Sequence, residues 1–126
     1  MTIAHWCVLA ALLMPYILSV LSRSAVRKTD YVGDPRAFDQ TLTGWHRRAH
    51  LAQLNAFESL PPFLAAVLIA QQVGAPQRPV DALALAFVAA RVLHAACYVA
   101  DRPSLRSVAW QLGMLCVVAL FVVAAF

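Results

Sequence analysis

The sequence predicts an all-α integral membrane protein built as one four-helix bundle domain. Of its 126 residues, 62% are hydrophobic and only 13% are charged, which is outside the usual balance of soluble globular domains. A membrane-spanning helix needs about 20 mainly apolar residues. Four segments meet this requirement and account for nearly the whole chain: residues 3–21, 42–72, 80–100 and 105–126.

The first span carries a proline in its middle, and a long polar segment follows it. Pro15 lacks an amide hydrogen and its ring clashes with the preceding turn, so a bend in the first helix is predicted. The next segment contains Gly33 and Pro35 as turn residues and too little apolar surface for a core of its own. This segment is predicted to be a loop.

The remaining spans are joined by short turns. The second span is predicted to begin near Thr43 and to end before VGAPQRP, and the third to begin with Pro79 and Asp81. The turn DRPS leads directly into the fourth span. Connections this short make the second and third spans antiparallel neighbours, and likewise the third and fourth.

The formal net charge of +4 indicates membrane topology rather than nucleic-acid binding, because the basic residues cluster at the ends of the spans. The first loop and the adjoining span ends hold Arg23, Arg27, Lys28, Arg36, Arg47 and Arg48. The third loop and the start of the last span add Arg102 and Arg106, whereas the middle loop has only Arg78. The positive-inside rule therefore predicts cytoplasmic first and third loops, with both termini on the opposite side.

The three cysteines indicate neither disulfides nor a metal site. Cys7, Cys97 and Cys116 all lie inside predicted spans, are odd in number, and show no CxxC or Cys/His ligand spacing. We expect them to be buried as small apolar side chains.

Two of the spans each carry a polar face at helical spacing. Successive helical residues rotate by about 100°. On the second span this aligns Arg48, Ala52, Asn55 and Glu58, and on the third it aligns Arg91, His94, Tyr98 and Arg102.

These faces are expected to point inward, at each other or at a wet cavity. Placing an arginine or aspartate at the centre of a membrane helix costs roughly 3 kcal/mol on insertion scales. Glu58 and Arg91 both fall near the middle of their spans, so the sequence predicts a buried ion pair between them. Such a pair is open to two interpretations, contact between helices or direct binding of a ligand.

The other polar residues have simpler individual explanations. Arg48 and Arg102 fit interfacial arginines, His94 fits a core histidine, Tyr98 fits an interfacial aromatic, and Asn55 fits a bridge between helices. Their convergence instead favours a basic, hydrogen-bonding pocket for a small ligand that carries carboxylates. The converging residues are Arg48, Asn55, Glu58, Arg91, His94, Tyr98, Arg102 and Arg106. Pro61 and Pro62 predict a bend just beyond this face, either for packing or for binding.

Three motifs carry a family resemblance. The pattern R-A-x(5)-N-x-x-E-x-x-P begins at Arg48 and ends at Pro61, the third span contains ARVLHAACY, and the fourth begins with LRSVAW. In this order the motifs resemble the MAPEG family, the membrane-associated proteins in eicosanoid and glutathione metabolism. The resemblance covers nearly the whole chain.

The resemblance implies a left-handed four-helix bundle that forms a homotrimer, with glutathione bound between neighbouring subunits near the cytoplasmic side. It implies glutathione contacts from Arg23, Asn55, Glu58, Arg91, His94, Tyr98, Arg106 and Ser107. It also implies that Arg106 lies near the thiol and favours the thiolate, which makes Arg106 the predicted catalytic residue. Two positions depart from the prostaglandin E synthase type, which has arginine at Leu54 and tyrosine at Trp110. Prostaglandin isomerisation is therefore not predicted.

The sequence thus favours a membrane-bound, glutathione-dependent transferase or peroxidase that acts on lipophilic electrophiles. The alternative is a non-catalytic membrane protein of the same type that binds a lipid or a partner helix, with a purely structural polar face. A small transporter is less favoured, because no repeated pair of broken helices is visible.

Overall fold

Five α-helices make up the regular structure of the part of the chain that the structure describes. The computed structural model describes residues 1–27, 30 and 32–126. The helices are α1 (Ile3–Ser22), α2 (Pro35–Asp39), α3 (Gly44–Gln72), α4 (Gln77–Val99) and α5 (Pro103–Ala125). Of these, α1, α3, α4 and α5 are long and apolar enough to cross a membrane, which confirms the predicted all-α architecture with four spans.

The helix boundaries differ from the predicted ones by at most three residues. The largest difference is at α4, which begins at Gln77 rather than at residue 80. Pro79 lies in the first turn of α4, where backbone amides have no partner inside the helix, so a proline costs nothing there. Pro103 is likewise the first residue of α5. Thr43 is the residue before α3, as predicted, but its side chain makes no capping hydrogen bond.

The internal prolines do not interrupt their helices. Helix α1 continues through Pro15, which is fully buried, and α3 continues through Pro61 and Pro62. The predicted bends at these positions stay predictions.

The polar loop contains a short helix that the sequence pattern did not indicate. Asp34 caps α2, because its Oδ1 accepts a hydrogen bond from the amide of Ala37 at 3.1 Å, and Pro35 opens the helix. Asp39 at the end of α2 forms an ion pair with Arg23, just after α1, with 2.6 Å between Oδ2 and Nη2. This contact attaches α2 to the end of α1. Lys28, one of the basic residues predicted in this loop, lies outside the described residues.

Helix α1 packs mainly on α3, and α4 packs mainly on α5 and also on α3. These contacts confirm the predicted neighbours. The larger part of the core surrounds Phe63 and Phe87, whose rings stack 3.8 Å apart at an angle of 8°. Elsewhere the helices meet largely through alanines, which allow close approach. Cys7 and Cys97 are buried as predicted, and Cys116 is half-buried.

Candidate functional site

A buried arginine lies where α3, α4 and α5 meet. The Arg91 side chain belongs to α4, and the residue is 3% exposed. Its Nη2 donates a hydrogen bond to Oδ1 of Asn55 on α3 at 2.6 Å. Gly113 on α5 faces the Arg91 stem, since a Cβ built on this glycine would lie 3.5 Å from Arg91 Cδ. The nitrogen Nε of Arg91 is buried and has no hydrogen-bond partner among the described residues.

The predicted direct ion pair between Glu58 and Arg91 is wrong. No carboxylate oxygen of Glu58 lies within 4.0 Å of the guanidinium. Instead, the Asn55 Nδ2 donates to Glu58 Oε2 at 3.3 Å, so one carboxamide bridges the two charges. The physical reason is position around the helix: Glu58 is exposed on the outer side of α3, whereas Asn55 is partly buried and reaches α4. The inward-pointing face predicted on α3 therefore includes Asn55 but not Glu58.

His94 connects α4 to the first turns of α5. His94 is 3% exposed, and its Nδ1 lies 3.0 Å from the backbone carbonyl oxygen of Arg106. Because a carbonyl oxygen only accepts hydrogen bonds, Nδ1 carries the hydrogen. The other ring nitrogen, Nε2, is buried and lacks a hydrogen-bond partner within the described part of the chain. A buried polar atom without a partner is uncommon in folded proteins and suits contact with a ligand.

Arg106 lies over an aromatic ring. Its guanidinium carbon is 4.4 Å from the centre of the Tyr98 ring, which is within cation–π distance. The Tyr98 ring in turn meets the His94 ring edge to face, with 5.6 Å between centres. These contacts hold a cation beside the N-terminal end of α5, where the helix dipole also favours negative charge.

These side chains surround one open cavity of about 400 Å³. Its lining residues are Asn55, His94, Tyr98, Arg106, Ser107, Trp110 and Gln111. Five of them had been implied as site residues by the family resemblance, so the structure does bring those five together. Gln111 is not part of the predicted polar faces or of the family motifs. The available signal was its spacing, since a carboxamide four residues after Ser107 lies on the same face of α5.

Three of the implied site residues do not line this cavity. Arg91 lies behind Asn55, and Glu58 lies beyond it on the exposed side of α3. Arg23 lines a different, larger cavity of about 830 Å³, and its guanidinium is engaged with Asp39. Arg48 is also outside, because its Nε donates to the carbonyl of Val99 at 3.0 Å and so joins α3 to the end of α4.

Comparison with known protein families assigns the chain to a family. The sequence model of the MAPEG family matches residues 3–126, essentially the whole chain. This chain belongs to the MAPEG family. It is therefore a membrane protein of a family in eicosanoid and glutathione metabolism, whose members generally use glutathione and are usually trimeric. A search of curated proteins gave no match.

Proposed function

We propose that this MAPEG protein is a glutathione-dependent transferase or peroxidase that acts on lipophilic electrophiles from the bilayer. The observation that supports this most is the cavity of about 400 Å³, around which three helices bring a cation, a buried histidine nitrogen, a hydroxyl and a carboxamide together. These groups are the kind that a peptide-like, anionic ligand requires.

Glutathione carries two carboxylates and one ammonium, and the site offers groups of both signs. Arg106 and the N-terminal end of α5 attract a carboxylate or the thiolate. The exposed carboxylate of Glu58 suits the ammonium, and the free Nε2 of His94 accepts a hydrogen bond. Arg91 does not line the cavity and acts indirectly, by fixing the orientation of the Asn55 carboxamide. The remaining proposed contacts are Tyr98, Ser107 and, from a neighbouring subunit, Arg23.

Arg106 is the proposed catalytic residue. A free thiol has a pKa of about 8.5, and a nearby cation lowers it, so more thiolate is present at neutral pH. In transfer, the thiolate sulfur forms a bond to the electrophilic carbon while the bond to the leaving group breaks. The leaving group departs with the electron pair, and Arg106 neutralises the anion before it reacts.

A homotrimer completes the proposed site. The exposed carboxylate of Glu58 lies within a helix apolar enough to span a membrane, and contact with lipid there would be costly. Arg23 and Arg106 line separate cavities of one chain, and these cavities share no lining residue. A neighbouring subunit that covers Glu58 would also bring its own Arg23 side towards the ligand.

We also propose that the α1–α3 and α4–α5 connections face the cytoplasm, with both termini opposite, because basic residues concentrate in those connections. Single cysteines introduced at exposed loop positions, in a variant without native cysteines, would be labelled by an impermeant maleimide from one side only. Labelling of the α3–α4 turn from the cytoplasm would overturn this topology.

One observation favours the non-catalytic alternative, in which the chain binds a lipid or a partner helix. Arg106 is already engaged by the Tyr98 ring, and His94 already holds the Arg106 backbone, so both can serve structure alone.

The experiment that separates the two functions uses purified protein, glutathione and a chlorodinitrobenzene electrophile. We expect wild type to bind immobilised glutathione and to catalyse conjugation. Arg106→Ala should lower kcat at neutral pH about tenfold or more, with a smaller loss of binding, because removal of a nearby cation raises the thiol pKa by about one unit or more. The pH–rate profile should therefore move to higher pH.

Arg102→Ala is the matched control, since Arg102 precedes α5, is exposed and does not line the cavity. It should keep the kcat and the pH profile of wild type. Absence of any thiol binding by wild type would refute the proposed activity.

A further inference from the structure

Gln111 lines the cavity around Arg106, and the proposed function gives it no role. It lies on α5 one helical turn beyond Ser107, so the two side chains lie on the same side of the helix. Gln111 is exposed and makes no hydrogen bond with another residue that the structure describes. Because α5 is apolar enough to span a membrane, lipid would offer this carboxamide no hydrogen-bond partner. The side chain therefore requires water or a ligand within the cavity.

Gln111 also marks the end of the polar part of α5. The 15 residues that follow it, LGMLCVVALFVVAAF, contain no charged, amide or hydroxyl side chain. At about 1.5 Å per residue, Gln111 lies about 7.5 Å farther along the helix axis than Arg106. A lipophilic molecule that packs along the apolar part of α5 therefore meets Gln111 before it meets Arg106.

Several other polar groups of the cavity already donate their hydrogens within the protein. The Ser107 hydroxyl donates to a backbone carbonyl of the preceding turn at 3.1 Å. The Asn55 amide donates to a carboxylate on its own helix at 3.3 Å. His94 donates from Nδ1 to the backbone of Arg106, which leaves its other ring nitrogen as an acceptor. The Gln111 carboxamide, in contrast, has both of its N–H groups available among the described residues.

Tyr98 and Trp110 are the other lining residues whose O–H or N–H makes no hydrogen bond in the described part of the chain. Tyr98 lies at the end of α4, and Arg106 lies over its ring, so its hydroxyl belongs to the loop end of the cavity. Trp110 lies in the same turn as Gln111, but its single N–H is fixed in a rigid ring. Gln111 is therefore the most adaptable free donor at the end of the cavity that faces the apolar part of α5.

Displacement at carbon directs the leaving group towards Gln111. In the proposed reaction the thiolate lies beside Arg106, and the electrophilic carbon lies about 3–3.5 Å from the sulfur before attack. The bond that breaks points away from the sulfur, so the leaving atom lies about 5 Å from the sulfur. An electrophile that arrives along the apolar part of α5 thus has its leaving atom on the Gln111 side of the reacting carbon.

We propose that Gln111 is a specificity-determining residue that selects lipophilic epoxides as the electrophile. This inference rests on the proposed thiol transfer. The thiolate sulfur forms a bond to one epoxide carbon, and the bond from that carbon to the ring oxygen breaks. The oxygen keeps the electron pair, accepts a hydrogen bond from Gln111 Nε2, and takes a proton from water to become the product hydroxyl. A halide gains less, because halogen bound to carbon is a weak hydrogen-bond acceptor.

The test compares two electrophiles of similar size, styrene oxide and benzyl chloride, with the purified full chain and glutathione. Gln111→Met removes the carboxamide and keeps an unbranched side chain of similar length. We expect kcat/KM for styrene oxide to fall about tenfold, the effect of losing one hydrogen bond made in the transition state. The kcat/KM for benzyl chloride and the affinity for glutathione should stay within about twofold of wild type. Gln111→Leu, a second variant without a side-chain N–H, should change the preference in the same way.

Gln72→Met is the matched control, because Gln72 is an exposed glutamine at the end of α3 and does not line this cavity. It should keep the wild-type kcat/KM for both electrophiles. A loss of glutathione affinity in Gln111→Met that accounts for its lower activity would overturn the inference, since the carboxamide would then contact glutathione. A larger change of the epoxide preference in Trp110→Phe would assign the hydrogen bond to the indole and would also overturn it.

Failure of this inference is distinguishable from failure of the proposed function. An active wild type whose preference between the two electrophiles is unchanged in Gln111→Met would overturn the role of Gln111 and leave the proposed transfer standing. Absence of turnover with both electrophiles in wild type would instead overturn the proposed transfer, and the role of Gln111 with it.

Discussion

The bridge from Arg91 through Asn55 allows a direct measurement of what holds the polar centre of the bundle together. Arg91 is 3% exposed, and its guanidinium donates to Asn55 Oδ1 at 2.6 Å. Asn55→Leu removes that acceptor while keeping an apolar side chain of similar volume. The guanidinium of Arg91, a residue that is 3% exposed, then stays buried without that acceptor.

The expected coupling free energy between Asn55 and Arg91 follows from two ranges of hydrogen-bond energies. A hydrogen bond to a charged group contributes about 1.5–3 kcal/mol to stability in proteins. Hydrogen bonds between membrane helices average only about 0.6 kcal/mol and reach about 1.7, since the unfolded state in a membrane also finds partners. The short distance and deep burial place this contact near the upper membrane value, so we expect a coupling of about 1.5 kcal/mol between Asn55 and Arg91.

A double-mutant cycle isolates this coupling. Asn55→Leu, Arg91→Met and the double variant are unfolded reversibly by sodium dodecyl sulfate in mixed micelles at fixed protein concentration, followed by circular dichroism. The double variant should be about 1.5 kcal/mol more stable than the sum of the single effects predicts. Gln53→Leu is the control partner for Arg91→Met, because Gln53 lies on α3 and its Oε1 makes no hydrogen bond to a described residue. The effects of Gln53→Leu and Arg91→Met on the free energy of unfolding should add to within about 0.5 kcal/mol.

The alternative arrangement, a direct ion pair of Arg91 with Glu58, makes a different prediction in the same assay. Glu58→Gln would then couple to Arg91→Met as strongly as Asn55→Leu does. With Asn55 as the bridge, the Glu58 coupling should be the smaller of the two. A coupling below about 0.5 kcal/mol for Asn55, or a larger one for Glu58, would refute the bridging role.

Substitutions at three further positions test separate contacts in the same unfolding assay. Gly113→Ala should be neutral or stabilising by up to about 1 kcal/mol, because the added Cβ meets Arg91 Cδ at 3.5 Å, an ordinary contact, and alanine favours a helix; Gly113→Leu should be destabilising. Asp81→Ala should cost about 1 kcal/mol, because Oδ1 of Asp81 accepts from the amide of Ala4 at 2.8 Å in the first turn of α1, and an unchanged stability would contradict this capping role. Phe63→Ala should lower the free energy of unfolding by about 3–5 kcal/mol, since this fully buried ring stacks on a second buried phenylalanine. A loss below about 1 kcal/mol would show that neighbouring side chains repack into the cavity.

Helical periodicity predicted part of the site because rotation around a helix axis is fixed by sequence spacing alone. It identified Asn55 on α3 and the pair His94 and Tyr98 on α4, and the turns that join the helices made α3, α4 and α5 neighbours. Spacing does not fix how far a side chain reaches or how two helices are offset along their axes. The partner of Arg91 was therefore wrongly predicted as Glu58, although the correct residue lies one turn away.

The polar loop was the least predictable part for a different reason. Helix α2 has only five residues, too few for an apolar period, and it depends on the Asp34 cap and on Pro35 at its first position. The ion pair of Arg23 with Asp39 joins residues 16 apart that share no helix, so no spacing rule indicates it. The cavity beneath α2 follows from that contact and was equally invisible in the sequence.

The exposed carboxylate of Glu58 is the feature of the chain that supports a site shared between subunits of the proposed trimer. Burial of the Glu58 carboxylate within the bundle would require a cation beside it. The predicted partner, the Arg91 guanidinium, is connected to Glu58 only through the Asn55 carboxamide. An exposed carboxylate on a membrane-spanning helix instead needs water, a ligand cation or another subunit. In the proposed trimer, the ammonium of glutathione and a neighbouring copy of the chain would meet this need together. The stability of the proposed wild-type trimer should consequently rise when glutathione is added. Glu58→Gln should reduce this gain in stability. An equal gain in the variant would contradict the role of Glu58 in coupling glutathione binding to trimer assembly.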